Sequence, residues 1–135
     1  MPRRPSDFEQ ERVVIVFDHP GSLTADTTYK FWQAPRACKV VDVRYINPTG
    51  LAEDTVNAFA GSVKNGSTVV ATLFDTDSDE AGDNSLAANT FVTGVIVAAA
   101  AVLAADDVLS LFLDEDAAGV ATLPAGRLQV EVVYL

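Results

Sequence analysis

The chain has 135 residues and a mass of 14.3 kDa, with 49% apolar, 21% charged and 8% aromatic residues, enough for one packed core and too apolar for disorder. Nine basic residues stand against 19 acidic ones, a net charge of −10 that repels phosphate backbones, so nucleic acid is not expected as a partner. One cysteine excludes an internal disulfide, one histidine excludes a multi-histidine metal site, and no run approaches the ~20 apolar residues of a spanning helix, so no membrane partner is expected.

Residues 1–11 open with Met-Pro-Arg-Arg-Pro-Ser. A signal peptide would continue with an apolar stretch; Asp7, Glu9, Gln10 and Glu11 come instead, so export by that route is not expected. Two prolines and few apolar side chains predict an extended arm outside the core, with a reach of about 36 Å. Residues 12–135 are then expected to form a single domain.

Residues 13–17, Val-Val-Ile-Val-Phe, are apolar on both faces of a strand. Both faces therefore need cover, from this chain or from a partner subunit. Asp18-His19-Pro20-Gly21 reads as a turn. Residues 27–33 form a second strand carrying Tyr29, Phe31 and Trp32, and residues 38–46 a third, with Val41, Val43 and Tyr45 on one face and Asp42 and Arg44 on the other. Asn47-Pro48-Thr49-Gly50 ends it. Residues 57–64 and 67–74 flank Asn65-Gly66, a strong hairpin signal in which both positions are expected at positive φ.

Residues 75–85 are an acidic loop, and residues 90–97 a strand with the same apolar excess as 13–17. The alanine-rich stretch 98–105 is too short for a stable helix and reads as a connection with at most one helical turn. Residues 108–113 form a strand with Leu109, Leu111 and Leu113 inward. A turn at 114–119, a short strand at 120–123 and the turn Pro124-Ala125-Gly126 lead to residues 127–135, where Leu128, Val130, Val132 and Tyr134 alternate with Gln129 and Glu131. Gly61 and Gly94, each alone in a strand pattern, mark bulges or close approaches. The pattern is all-β and predicts a two-sheet antiparallel β-sandwich, with a jelly roll as the expected form.

No residue set for catalysis, cofactor binding or metal binding emerges. His19 reads as a turn residue and Cys38 as a small buried hydrophobe. Asp75-Thr76-Asp77-Ser78-Asp79-Glu80 approaches a calcium loop, but its sixth position is Glu80 rather than glycine and its twelfth is Leu86 rather than glutamate. It reads as a solvated acidic loop. Tyr29, Phe31 and Trp32 offer a sugar platform, which makes a carbohydrate-binding or host-adhesion module the alternative function; packing in the core is the simpler reading. Charge is unevenly placed: residues 1–44 sum to +1 and residues 45–135 to −11. A basic tip on an acidic body suits docking on an acidic partner, another copy included.

Thr24-Ala-Asp-Thr-Thr-Tyr-Lys-Phe-Trp-Gln-Ala-Pro, then Val63-Lys-Asn-Gly-Ser-Thr-Val, Leu103-Ala-Ala-Asp-Asp-Val-Leu-Ser-Leu and Ala121-Thr-Leu-Pro-Ala-Gly-Arg-Leu-Gln-Val together resemble the small β-sandwich decoration (cement) proteins of tailed bacteriophage capsids. The resemblance runs from about residue 12 to the end. It implies a non-enzymatic protein, made in the host cytoplasm and bound to the outer capsid surface between capsomers of the major capsid protein. It also implies a homo-oligomer, with a trimer favoured over a dimer. The acidic loop at residues 75–83 departs from the shorter turn of that family. Arg3, Arg4 and Arg12 of the arm, with Val13, Ile15 and Phe17 of the first strand, are the expected contacts to capsid or a sister subunit.

Overall fold

In the computed structural model, residues 11–78, 84–115, 119 and 121–135 are described. They carry ten strands: β1 (Arg12–His19), β2 (Thr27–Gln33), β3 (Cys38–Ile46), β4 (Phe59–Asn65), β5 (Thr68–Asp75), β6 (Phe91–Thr93), β7 (Val95–Ile96), β8 (Val102–Leu103), β9 (Val108–Glu115) and β10 (Gly126–Tyr134). One sheet runs β1-β10-β3-β6, with β8 also on β3; the other runs β2-β9-β4-β5-β7. Every strand pair is antiparallel. The pairing is nested: the first strand lies on the last, β2 on β9, β3 on β8 and β6, and β4 on β5, as in a long hairpin folded over on itself.

Alternation places the core. Leu109, Leu111 and Leu113 of β9 face Leu128, Val130 and Val132 of β10 across the sandwich, all fully buried. Val43, Tyr45, Phe59, Val63 and Val70 of the neighbouring strands extend the same core. The predicted strands at 27–33 and 38–46 have the observed bounds. In β3, however, the register against β10 shifts between Glu131 and Val132, and Val41 is the extra residue. A bulge reverses the alternation beyond it, so Val40 and Cys38, not Val41, join Val43 and Tyr45 in the core.

Two turns differ from expectation. β1 continues through Asp18 and His19, because His19 pairs with Gly126 and is 2% exposed. The β4–β5 loop is Gly66-Ser67, with Asn65 still paired to Thr68. Of these loop residues Gly66 alone has positive φ, at 61°, the pattern of a type II′ loop, which places glycine first, rather than the type I′ loop expected of Asn-Gly.

The predicted strand at 90–97 divides at Gly94. β6 pairs with β3 in one sheet, and β7 pairs with β5 in the other. A Cβ at Gly94 would lie 3.2 Å from Val43, Leu73 and Thr72 atoms, so glycine lets the backbone pass between the sheets. The alanine stretch is one 3₁₀ turn, Ala98–Ala100, followed by β8, which returns to β3. Of the predicted strand at 120–123, Leu123 bridges Leu23 and Val120 lies outside the described residues.

Candidate interaction surface

β1 is hydrogen-bonded to β10 on one side and to no described strand on the other. The Glu11 carbonyl accepts the Tyr134 N–H at 2.9 Å. In an antiparallel ladder the direction alternates residue by residue, so odd-numbered β1 residues turn N–H and C=O to β10. Arg12, Val14, Val16 and Asp18 turn theirs to the open margin.

Side chains alternate on the same parity. Val13, Ile15 and Phe17 pack against the core, whereas Val14 and Val16 are 53% and 50% exposed. Of the expected contact residues, then, Arg12 lies on the surface and Val13, Ile15 and Phe17 point inward; Arg3 and Arg4 lie outside the described residues. The outward side chains of this strand are Val14 and Val16, which a wholly apolar run does not declare. The signal was present in its ends: Arg12 and Asp18 share the parity of Val14 and Val16.

Ion pairs cross this outer face. Arg12 Nη1 donates to Glu131 Oε1 at 2.9 Å, and Arg44 Nε lies 2.9 Å from Asp42 Oδ2. Arg127 grips Asp18 with two bonds of 2.6 and 3.1 Å, and this guanidinium holds the Asp18 carboxyl below its usual range. Such exposed pairs add little stability; their effect is to order the strands' polar ends. A shallow hollow of about 200 Å³ lies among Val14, Asp42, Arg44, Gln129 and Glu131. Phe91 and Val102, on the far side of the same sheet, are also more than half exposed.

The opposite sheet carries a groove of about 410 Å³ where small residues of β4, Ala60 and Ser62, lie between Phe112 and Val95. Lys64 Nζ sits 3.9 Å over the Phe112 ring. At one end of this sheet Asp114 has its carboxyl raised, first by burial and then by the neighbouring Asp26. Among the described residues no three histidine, cysteine or acidic side chains converge on a metal-sized site; Asp79 and Glu80 of the calcium-like motif lie outside them.

The two side chains considered for nucleophilic chemistry are both engaged in structure. Cys38 is buried in the core, and that burial pushes its thiol pKa up. His19 Nδ1 donates to the Pro20 carbonyl at 2.8 Å, and its Nε2 accepts from Tyr45 Oη at 2.6 Å. Tyr45 Oη in turn accepts from Asn47 Nδ2 at 3.2 Å, which also reaches Pro124 O at 2.8 Å. With His19 neutral the Tyr45 hydroxyl donates to Nε2 and accepts from Asn47; a protonated imidazole turns Nε2 into a donor and takes that acceptor away from the Tyr45 O–H. Tyr29, Phe31 and Trp32 are half-buried against the core, and Phe17 packs 5.4 Å from Tyr29 and 5.8 Å from Phe31. Their role is to close the sandwich between β1 and β2.

Burial lowers the His19 pKa from its ordinary 6.5 and pushes the Tyr45 pKa up to about 12. A depressed histidine contributes stability above 6.5 and loses it as pH falls through the folded pKa; a raised tyrosine loses its contribution as pH climbs above 10. The unfolding midpoint should hold between about pH 6.5 and 10 and decline on either side. His19 is the sole histidine, so its ring resonances report directly: a titration midpoint at or above 6.5 in the folded protein would contradict a neutral, buried imidazole.

The sequence matches no protein-family model and no curated protein. In fold, the chain is similar to a chain of the structure described as "Cyanophage Pam1 capsid asymmetric unit", with a TM-score of 0.54 and 15% identity over all of this chain and 91% of that one.

Proposed function

We propose that this protein is a non-enzymatic structural component of a bacteriophage virion, bound to the outer surface of an icosahedral capsid between capsomers and stabilising it as a decoration (cement) protein. The observation that carries the proposal is the likeness in fold, along the whole chain, to a chain from a phage capsid assembly. Three further features support it. The two antiparallel sheets with nested strand pairing are compatible with a jelly roll, an architecture that viral capsid domains use. His19 and Cys38 are committed to the core and unsuited to nucleophilic chemistry. The outer face of β1 and β10 combines ordered ion pairs with exposed valines, a surface fit for a modest contact repeated many times around a shell.

In this reading the major capsid protein is the partner, and Arg3 and Arg4 of the arm act with Arg12, Val14 and Val16 in the contact. Peptide quantitation of purified particles tests it. The protein should be present in fixed stoichiometry to the major shell protein and should leave under destabilising salt or heat. Absence from particles would overturn the proposal. Removing residues 1–10 spares the Glu11–Tyr134 bond and should lower occupancy through loss of the two arginines.

A further inference from the structure

The four outer strand positions of the sandwich are not alike. An unpaired margin invites pairing with another chain, and folds guard it with short strands, lysines, prolines or bulges. β6, β7 and β8 have only two or three residues each. β2 carries an exposed Lys30 and a bulge at Phe31. β1 has eight residues, no lysine, no proline, and an unbroken register with β10. Its margin is the unguarded one among the described residues.

The residues on that margin are complementary to themselves. We propose that two copies of this chain pair through β1, antiparallel about a twofold axis at Ile15, and join their sheets into one. In this register Arg12 lies opposite Asp18 of the second copy, Val14 opposite Val16, Val13 opposite Phe17, and Ile15 opposite Ile15. Opposed residues must share one hydrogen-bonding parity, so registers differ by two-residue steps. Sliding one step either way sets Arg12 against Val16 or Asp18 against Val14. A parallel pair sets like charges side by side.

Arg12, Val14, Val16 and Asp18 already direct N–H and C=O outward, so the pair closes with about eight backbone hydrogen bonds. Arg12, bonded to Glu131, gains Asp18 of the second copy, which is itself bonded to that copy's Arg127. Four alternating charges thereby line up across each end of the joint. The joint closes the open backbone margin of β1 and sets Val14 beside Val16 of the second copy, while the outer face of the joined sheet stays exposed for the proposed capsid contact. The twofold replaces the trimer implied by the family resemblance, and it stands on strand chemistry alone, whatever the protein binds.

Cysteine substitution reads the register. Ile15 residues face each other as a non-hydrogen-bonded pair, with Cα atoms about 4.5 Å apart, inside the range a disulfide spans. Mild oxidation should link Ile15→Cys into a species of twice the 14.3 kDa chain mass. Val14→Cys alone and Val16→Cys alone should stay unlinked, whereas an equimolar mixture of the two should link. The native Cys38 is buried and does not compete. If Ile15→Cys fails to fold by circular dichroism, the Val14→Cys and Val16→Cys mixture carries the test, since both positions are on the surface. Wild-type protein should sediment as a dimer at about 100 µM. A monomer or a trimer at that concentration would overturn the proposal, as would Val16→Cys linking to itself as readily as Ile15→Cys.

Discussion

Replacing Gly126 with alanine is expected to lower the thermal unfolding midpoint by about 10 °C, from a loss of about 3 kcal/mol. Gly126 opens β10 opposite His19. A Cβ there would overlap Tyr45 Oη and lie 2.7 Å from Tyr45 Cζ and 2.8 Å from His19 Nε2. The Tyr45 ring has no room to retreat. Tyr45 is fully buried and stacked on His19 at 5.7 Å, and the ring of Phe74 lies 5.0 Å away. The added methyl must push one ring out of the His19–Tyr45–Asn47 chain and leave buried polar atoms without partners, which costs about 1–3 kcal/mol beyond the overpacking.

Gly66→Ala supplies the contrast. Nothing lies within 4 Å of a Cβ there, but φ is 61°, so the cost is the backbone strain of one positive-φ residue, about 1–3 kcal/mol. Scanning calorimetry on both variants separates the two causes. A midpoint for Gly126→Ala within about 2 °C of wild type would mean that the polar cluster is not packed as described.

Leu111→Ala should cost about 2–5 kcal/mol, a large share of the roughly 5–15 kcal/mol that holds a domain of this kind. Leu111 is fully buried at the middle of β9, between Tyr29 of β2 and Val63 of β4, on the face that meets Val130 and Val132. Both sheets close over it, so the walls of the new cavity cannot collapse without bending a central strand. Val16→Ala, on the exposed side of β1, should change monomer stability by less than about 0.5 kcal/mol. Urea unfolding below the concentration at which copies pair gives both values. Equal losses from the two substitutions would refute the assignment of inner and outer faces.

Local chemistry carried most of this architecture. β-Branched runs separated by Pro, Gly, Asn and Asp placed eight or nine strands, and period-two alternation named Leu109, Leu111, Leu113, Leu128, Val130 and Val132 as core. Each of those signals lies within one segment of five to nine residues, where side-chain direction follows from the backbone alone. The features that depend on how strands pair are not local. The bulge at Val41 exists only in the register between β3 and β10. The division of residues 90–97 at Gly94 depends on the gap between two sheets.

His19 looked like a turn residue because Pro20-Gly21 follows it. It is buried because its strand partner is a glycine, and that glycine leaves room for Tyr45 Oη to reach the imidazole. Within residues 13–17 both faces are apolar, so hydrophobicity cannot choose between them; pairing with β10 turned Val13, Ile15 and Phe17 inward and left Val14 and Val16 at the open margin. The chain's own order of residues determined that Arg12 and Asp18 bracket this strand with opposite charge. That β1 lies at the edge of its sheet, with its outer margin unpaired, was decided by the folding of β10 onto β3, because a strand becomes an edge only through where its neighbours lie.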